Sequence, residues 1–141
     1  MKDRNFFEKI NKIASQDGKY SPDAYEFISD AVVFKSKSLG RTGASSANRH
    51  ISGKELIEGV KAYAIQQFGP LAGEVLKDWG IKNSLSIGEI VFSLVDSGIL
   101  GKSPNDSIDD FKEGFDVEKD LSFKTETSSS IISPNKTEII A

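Results

Sequence analysis

Apolar residues recur every three or four positions in five stretches of this chain, which is the period of an amphipathic α-helix. The stretches cover residues 5–14, 22–34, 53–68, 70–79 and 87–95. They predict five helices, and the last three, joined by short breaks, fit one compact core. Trp79 closes the apolar stripe of the fourth stretch, so we expect it to be buried.

The second stretch allows one alternative. Residues 31–34 read Ala-Val-Val-Phe, and β-branched and aromatic side chains favour a buried strand. A helix agrees with the period of the whole stretch and with the start signal before it. We therefore predict a helix here.

Three of the helix starts carry capping signals. Ser21 is followed by a proline and an acid, a combination typical of a first helical turn. Ser52 stands three residues before Glu55, which is the spacing of a capping box, and Ser86 stands three residues before Glu89. Glycine ends many helices because it adopts a left-handed backbone. The predicted stops are Gly18, Gly69, Gly80 and Gly98.

The chain beyond the fifth helix has a different pattern. Short apolar pieces within residues 99–117 flank a turn at residues 103–106, and they predict a two-stranded β-hairpin. Residues 124–141 are poor in large apolar side chains, which predicts a disordered tail. The expected fold class is mainly α, as one domain over residues 1–123. Two helices precede a winged-helix-like part at about 50–118, built from three helices and the hairpin.

In a winged helix that binds DNA, the third helix of the motif reads the major groove. The equivalent helix here, residues 86–97, carries Glu89 and Asp96 and no lysine or arginine, and the predicted hairpin is acidic too. Phosphate contacts supply most of the affinity for DNA, so an anionic surface repels it. Phe92 lies off the main apolar stripe and either widens the core or lies in a contact surface. This composition favours protein contacts.

Charge is distributed unevenly along a chain whose formal net charge is -3. Residues 35–54 include five basic side chains and no acid, whereas residues 106–126 include eight acids and three lysines. The simpler interpretation is two solvated segments. The alternative is a bipolar molecule whose basic stretch binds an anionic partner or its own acidic segment.

Composition limits the chemistry of the chain. It has no cysteine, so it forms neither a disulfide nor a thiolate metal site. It opens without an apolar signal core, and no apolar run reaches the roughly 18 residues that a membrane span needs. We therefore expect a cytoplasmic protein without membrane contact.

Each candidate for a chemical site has a simpler structural explanation. His50 is the single histidine, which leaves no histidine cluster for a metal, and its neighbour Ser52 lacks a nucleophile-elbow motif. Asn105, Ser107 and Asp109 have the spacing of a calcium loop but lack its first aspartate and its glycine. No stretch matches a nucleotide-binding glycine motif. We expect no catalytic residue, no cofactor and no metal.

Six short blocks stand out over roughly residues 20–115. They are residues 25–27, 49–56, 68–72, 79–81, 88–92 and 110–111. Together they resemble a family of short conserved hypothetical proteins from planctomycetes and verrucomicrobia. The resemblance implies a cytoplasmic bacterial protein and no particular activity. The chain has Lys54 where the family pattern has glutamine, and its C-terminal tail is not part of that pattern.

Two functions from different classes follow. The first is a non-catalytic protein-interaction module that works through the fifth helix and the acidic hairpin, with another protein as its partner. The second is a nucleic-acid-binding regulator that uses a winged-helix frame and the basic stretch at residues 35–54. An enzyme ranks third. The candidate contact residues are Glu89, Phe92, Asp96, Arg49 and His50.

Overall fold

A computed structural model describes residues 3–40, 51–101, 111–112 and 114–121 of the chain. Its helices are α1 (Arg4–Asp17), α2 (Pro22–Ser38), α3 (Gly53–Phe68), α4 (Ala72–Asp78), α5 (Ser84–Asp96) and the single turn α6 (Val117–Asp120). A 3-10 turn, Gly69–Leu71, joins α3 to α4. The mainly α prediction is confirmed, and all five predicted helices are present. The tail predicted at residues 124–141 lies outside the described residues.

Helix α2 lies at the centre of the fold and packs against α1, α3 and α5. Ala24, Ile28 and Ala31 are completely buried along one side of it, at the i, i+4, i+7 spacing of a helix face. Residues 31–34 belong to this helix, so the alternative of a strand is wrong.

The predicted caps of α2 and α3 are confirmed. The side chain of Ser21 accepts a hydrogen bond from the backbone N–H of Asp23 at 3.1 Å. Ser52 and Glu55 form both halves of the capping box: the Ser52 N–H donates to the Glu55 carboxylate at 2.9 Å, and the Glu55 N–H donates to the Ser52 hydroxyl at 3.1 Å. Gly18 ends α1 in a left-handed conformation, with φ of 71°.

The cap of α5 differs from the prediction. The helix begins at Ser84, and the Asn83 side chain accepts from the backbone N–H of Ser86 at 3.1 Å. Asparagine caps a helix as well as serine does, and here it comes earlier in the chain. The Ser86 hydroxyl accepts from the N–H of Lys82 instead. The predicted box between Ser86 and Glu89 is therefore wrong, and Glu89 makes other contacts.

The described part of the predicted hairpin contains no strand. Asp116 forms one isolated antiparallel bridge with Asn83, and the N–H of Val117 donates to the carbonyl of Lys82 at 2.8 Å. This segment thus pairs with the turn before α5. The predicted turn at residues 103–106 lies outside the described residues.

Burial explains why the segment docks in this way. Phe111, Phe115, Val117 and Leu121 are all buried in the common core. The ideal Cβ position of Gly73, in α4, meets the backbone carbonyl of Leu121, so only glycine lets the two backbones approach so closely. Because these apolar side chains are buried against the helices, they are not available to stabilise a separate two-stranded hairpin.

Helix α4 is shorter than its apolar stretch, and its stripe is only partly buried. Ala72 and Leu76 are buried, whereas Leu71 is 56% exposed. Leu71 belongs to the 3-10 turn, whose three residues per turn rotate it off the face that Leu76 occupies. Trp79 is only half-buried, at the edge of the core, so the prediction that it is buried is met in part.

Candidate functional site

The structure turns two of the predicted contact residues toward their own chain. Glu89 accepts a hydrogen bond from the hydroxyl of Tyr20 at 2.5 Å, and the ammonium of Lys19 lies 3.4 Å from the same carboxylate oxygen. The ring of Phe92 meets the buried ring of Phe111 edge-on, with centroids 6.3 Å apart. Phe92 therefore widens the core, which is one of the two roles that its position in the helix allowed.

The other three predicted contact residues do not join Glu89 and Phe92 in a common site in the described part of the chain. Asp96 is exposed at the last residue of α5. Arg49 and His50 lie outside the described residues, as does the calcium-like spacing at residues 105–109. In the described part of the chain, no three His, Cys, Asp or Glu side chains are grouped as a metal site requires.

A polar cluster joins the end of α1, the α1–α2 turn and α5. The hydroxyl of Tyr25, which is fully buried, donates to Asp17 at 3.0 Å, and the rings of Tyr20 and Tyr25 meet edge-on with centroids 6.2 Å apart. Burial, reinforced by the hydrogen bonds to Glu89 and Asp17, raises the pKa of both tyrosines well above the ordinary value. Both phenols therefore stay protonated and act as donors that fix two carboxylates.

An open groove of about 480 Å³ lies beside this cluster, between the end of α1 and the residues that follow α4. Two lysines, Lys19 and Lys77, line it. Each is paired within the chain: Lys19 with Glu89, and Lys77 with Glu118 at 3.1 Å. A groove whose lysines are already paired offers little attraction to an anionic ligand.

A continuous run of aromatic side chains lies at the edge of the core, and we call it the aromatic row. Ring centroids 5.1–5.5 Å apart link Phe34 to Tyr63, Tyr63 to Phe27, and Phe27 to Trp79. Phe68 closes the row, 5.6 Å from Trp79 and 5.8 Å from Phe27. Phe27 is buried, and the remaining four residues are half-buried, so each of the four remains partly exposed.

Acidic residues lie beside the Trp79 end of the aromatic row. The N–H of Ser21 donates to the carbonyl of Trp79 at 3.1 Å, which holds the first turn of α2, with its exposed Asp23, close to the tryptophan. Asp78, directly before Trp79, is exposed as well. Two lysines lie near this end, and both are paired with carboxylates. Lys77 bridges Glu74 and Glu118, and Lys19 pairs with Glu89. The local charge at this end of the row is therefore negative.

The sequence patterns did not predict that these aromatic residues form a partly exposed surface. Its members come from α2, α3 and the residue after α4, and within each helix they have the spacing of core positions.

Comparisons with family models, with curated proteins and with solved structures give no significant match. None of the described helices is both long enough and apolar enough to cross a membrane. The site must therefore be judged from its own geometry.

Proposed function

We propose that this chain is a non-catalytic protein-interaction module, and that the aromatic row contacts an apolar segment of a partner protein. The observation that carries the proposal is the row itself, in which three half-buried rings contact the buried Phe27 and a fourth, Phe34, contacts Tyr63. Tyrosine, tryptophan and phenylalanine are enriched in protein interfaces because they offer large apolar area at little cost in conformational entropy.

Charge specifies the partner further. Asp23 and Asp78 are exposed beside Trp79, so a segment that carries lysine or arginine next to its apolar side chains is the best match. A cation near the exposed face of Trp79 gains a cation–π contact in addition. The partner segment is thus apolar on one face and basic at its edge, as in a basic amphipathic helix.

The polar residues that could take part in catalysis have structural roles, which supports a binding function over an enzymatic one. Ser52 and Glu55 cap α3, Glu89 anchors Tyr20, and Asp17 anchors Tyr25. A side chain that caps a helix or accepts from a buried hydroxyl therefore has a structural role that accounts for its presence.

The proposal is tested by titrating the protein with helical peptides and following tryptophan emission. Trp79 is the single tryptophan, so the emission reports directly on the aromatic row. A leucine–lysine amphipathic peptide is expected to shift the emission in a saturable way, and a leucine–glutamate peptide of the same length is the control for charge. Phe68→Ala should weaken the binding, whereas Phe7→Ala, which alters an exposed ring on α1, should not. No saturable response to either peptide would contradict the proposal.

The alternative function, a nucleic-acid-binding regulator, rests on the winged-helix frame and on the basic stretch at residues 35–54. Residues 41–50 lie outside the described part of the chain, and the described residues include no strand for a wing. Its test is a salt titration of binding to duplex DNA, in which a steep loss of affinity with salt supports it. Absence of binding at low salt rules it out.

Two further elements of the proposal rest on the sequence alone. We propose a cytoplasmic location, which the cysteine-free composition suits, and fractionation of the source cells tests it. Membership of the family of short conserved hypothetical proteins rests on the six sequence blocks.

A further inference from the structure

The solvent-facing side of α2 carries an acidic residue, two apolar residues and a basic residue in succession. Asp30, Val33, Phe34 and Lys37 follow one another at i, i+3, i+4 and i+7, the spacing of neighbours on one helix face. Val33 is 49% exposed although it is apolar, and Phe34 is half-buried beside it. Ile28, on the opposite face of the helix, is completely buried, which fixes the orientation of the pattern toward solvent.

This pattern is complementary to itself. Asp30 and Lys37 lie at equal distances along the helix from the midpoint between Val33 and Phe34. When two copies of α2 lie antiparallel about a two-fold axis at that midpoint, Asp30 of each copy faces Lys37 of the other. Val33 and Phe34 then meet their counterparts at the axis. An isologous contact requires this kind of self-complementary surface.

We infer that α2 pairs with α2 of a second copy of this chain, forming a two-fold homodimer. The antiparallel arrangement also sets the opposite ends of the two helix dipoles together. A single helix pair buries less than the roughly 1,200 Å² of a standard interface, so the dimer is weak and depends on protein concentration. The contact shares Phe34 with the aromatic row and leaves Trp79 and Phe68 accessible.

Other charges near this face are consistent with the pairing. Glu26 lies one turn before Asp30 and extends the acidic end of the face, and the residue that would lie opposite it is outside the described part of the chain. Lys35 does not compete, because its aliphatic stem packs over Gly59 and its ammonium lies 3.5 Å from Glu58. Asp30 already has an interaction within its own chain, and a carboxylate has acceptor capacity for a second partner.

Charge reversal tests the register of the pair. Asp30→Lys and Lys37→Asp each place like charges opposite one another across the axis. Each variant alone should therefore dimerise more weakly than wild type, by up to about tenfold. An equimolar mixture of the two variants should recover association, since the heterodimer restores both attractive pairs. The double variant Asp30→Lys/Lys37→Asp should recover it as well. Asp96→Lys, with the same change in net charge on α5, should dimerise as wild type does.

Sedimentation equilibrium over a wide range of concentration measures each association constant, and thermal melts establish that each variant is folded. If Asp30→Lys does not fold, Asp30→Asn replaces it and must weaken the dimer, because it removes the charge and keeps the shape. A wild-type protein that stays monomeric up to its solubility limit overturns the inference. Association that the single reversals leave unchanged, or that the mixture does not recover, also overturns it. The proposed binding through Trp79 is unaffected by any of these outcomes.

Discussion

The hydroxyl of Tyr20 donates a 2.5 Å hydrogen bond to a carboxylate oxygen of Glu89 and thereby joins the α1–α2 turn to α5. Tyr20 is 8% exposed, so its hydroxyl has little access to water. Removing this donor in Tyr20→Phe should lower the free energy of unfolding by about 1–2 kcal/mol, because the bond has a charged acceptor. Urea denaturation measures the loss. Glu89→Gln, which keeps an acceptor, should lose less, and equal stabilities for Tyr20→Phe and wild type would show that the contact contributes nothing.

The same contact predicts how stability depends on alkaline pH. The folded state raises the pKa of Tyr20 and of Tyr25 above the ordinary value of 10.0 that the unfolded chain has. Their contribution is therefore fully present below pH of about 10 and is lost as pH rises toward the folded pKa. Above that pH the stability should fall more steeply in wild type than in Tyr20→Phe/Tyr25→Phe. Parallel stability curves for the two proteins in the alkaline range would contradict this.

The capping box at the start of α3 predicts a graded response at Ser52. Ser52→Ala removes the acceptor for the Glu55 N–H and should cost about 0.5–2 kcal/mol. Ser52→Asp should recover most of this loss, since aspartate also caps a helix and suits its positive end. Thermal melts of both variants beside wild type provide the measurement, and identical melting temperatures for all three would speak against a capping role.

Gly73 should not tolerate even one methyl group. A Cβ at this position meets the backbone carbonyl of Leu121, which is not the flexible end of a side chain. Gly73→Ala should therefore destabilise the protein by about 1–3 kcal/mol, the range of overpacked core sites. Gly101→Ala is the matched control, because a Cβ there meets nothing within 4 Å. A Gly73→Ala variant as stable as this control would indicate that the end of the described chain does not pack on α4.

Local signals in the sequence were sufficient for the helices. Ser21, Ser52 and Gly18 act where they were expected because a cap depends on only three or four neighbouring residues. The start of α5 was placed wrongly because Asn83 and Ser86, three residues apart, both qualify as caps. A capping box at Ser86 would need the Glu89 carboxylate, which instead accepts from Tyr20 in a contact that the local sequence does not show.

Long-range relationships were harder to predict. Residues 111–117 were expected to form one strand of a hairpin, but Phe111, Phe115 and Val117 are buried against the helices instead. The aromatic row depends on how α2, α3 and Trp79 come together, and no spacing within a single helix encodes that. Phe92 was predicted as a contact residue on α5, because the spacing within this helix does not show that its ring meets the ring of Phe111.

The central claim is that the aromatic row is the contact surface for a basic, apolar partner segment. The most direct test is the nitrogen–proton NMR signal of the single indole group, that of Trp79, during titration with the leucine–lysine peptide. The account predicts that this signal shifts together with the amides of Phe68 and Tyr63, while the amide of Asp96 on α5 stays in place. Shifts that gather around Asp96 and leave the indole signal unmoved would contradict it.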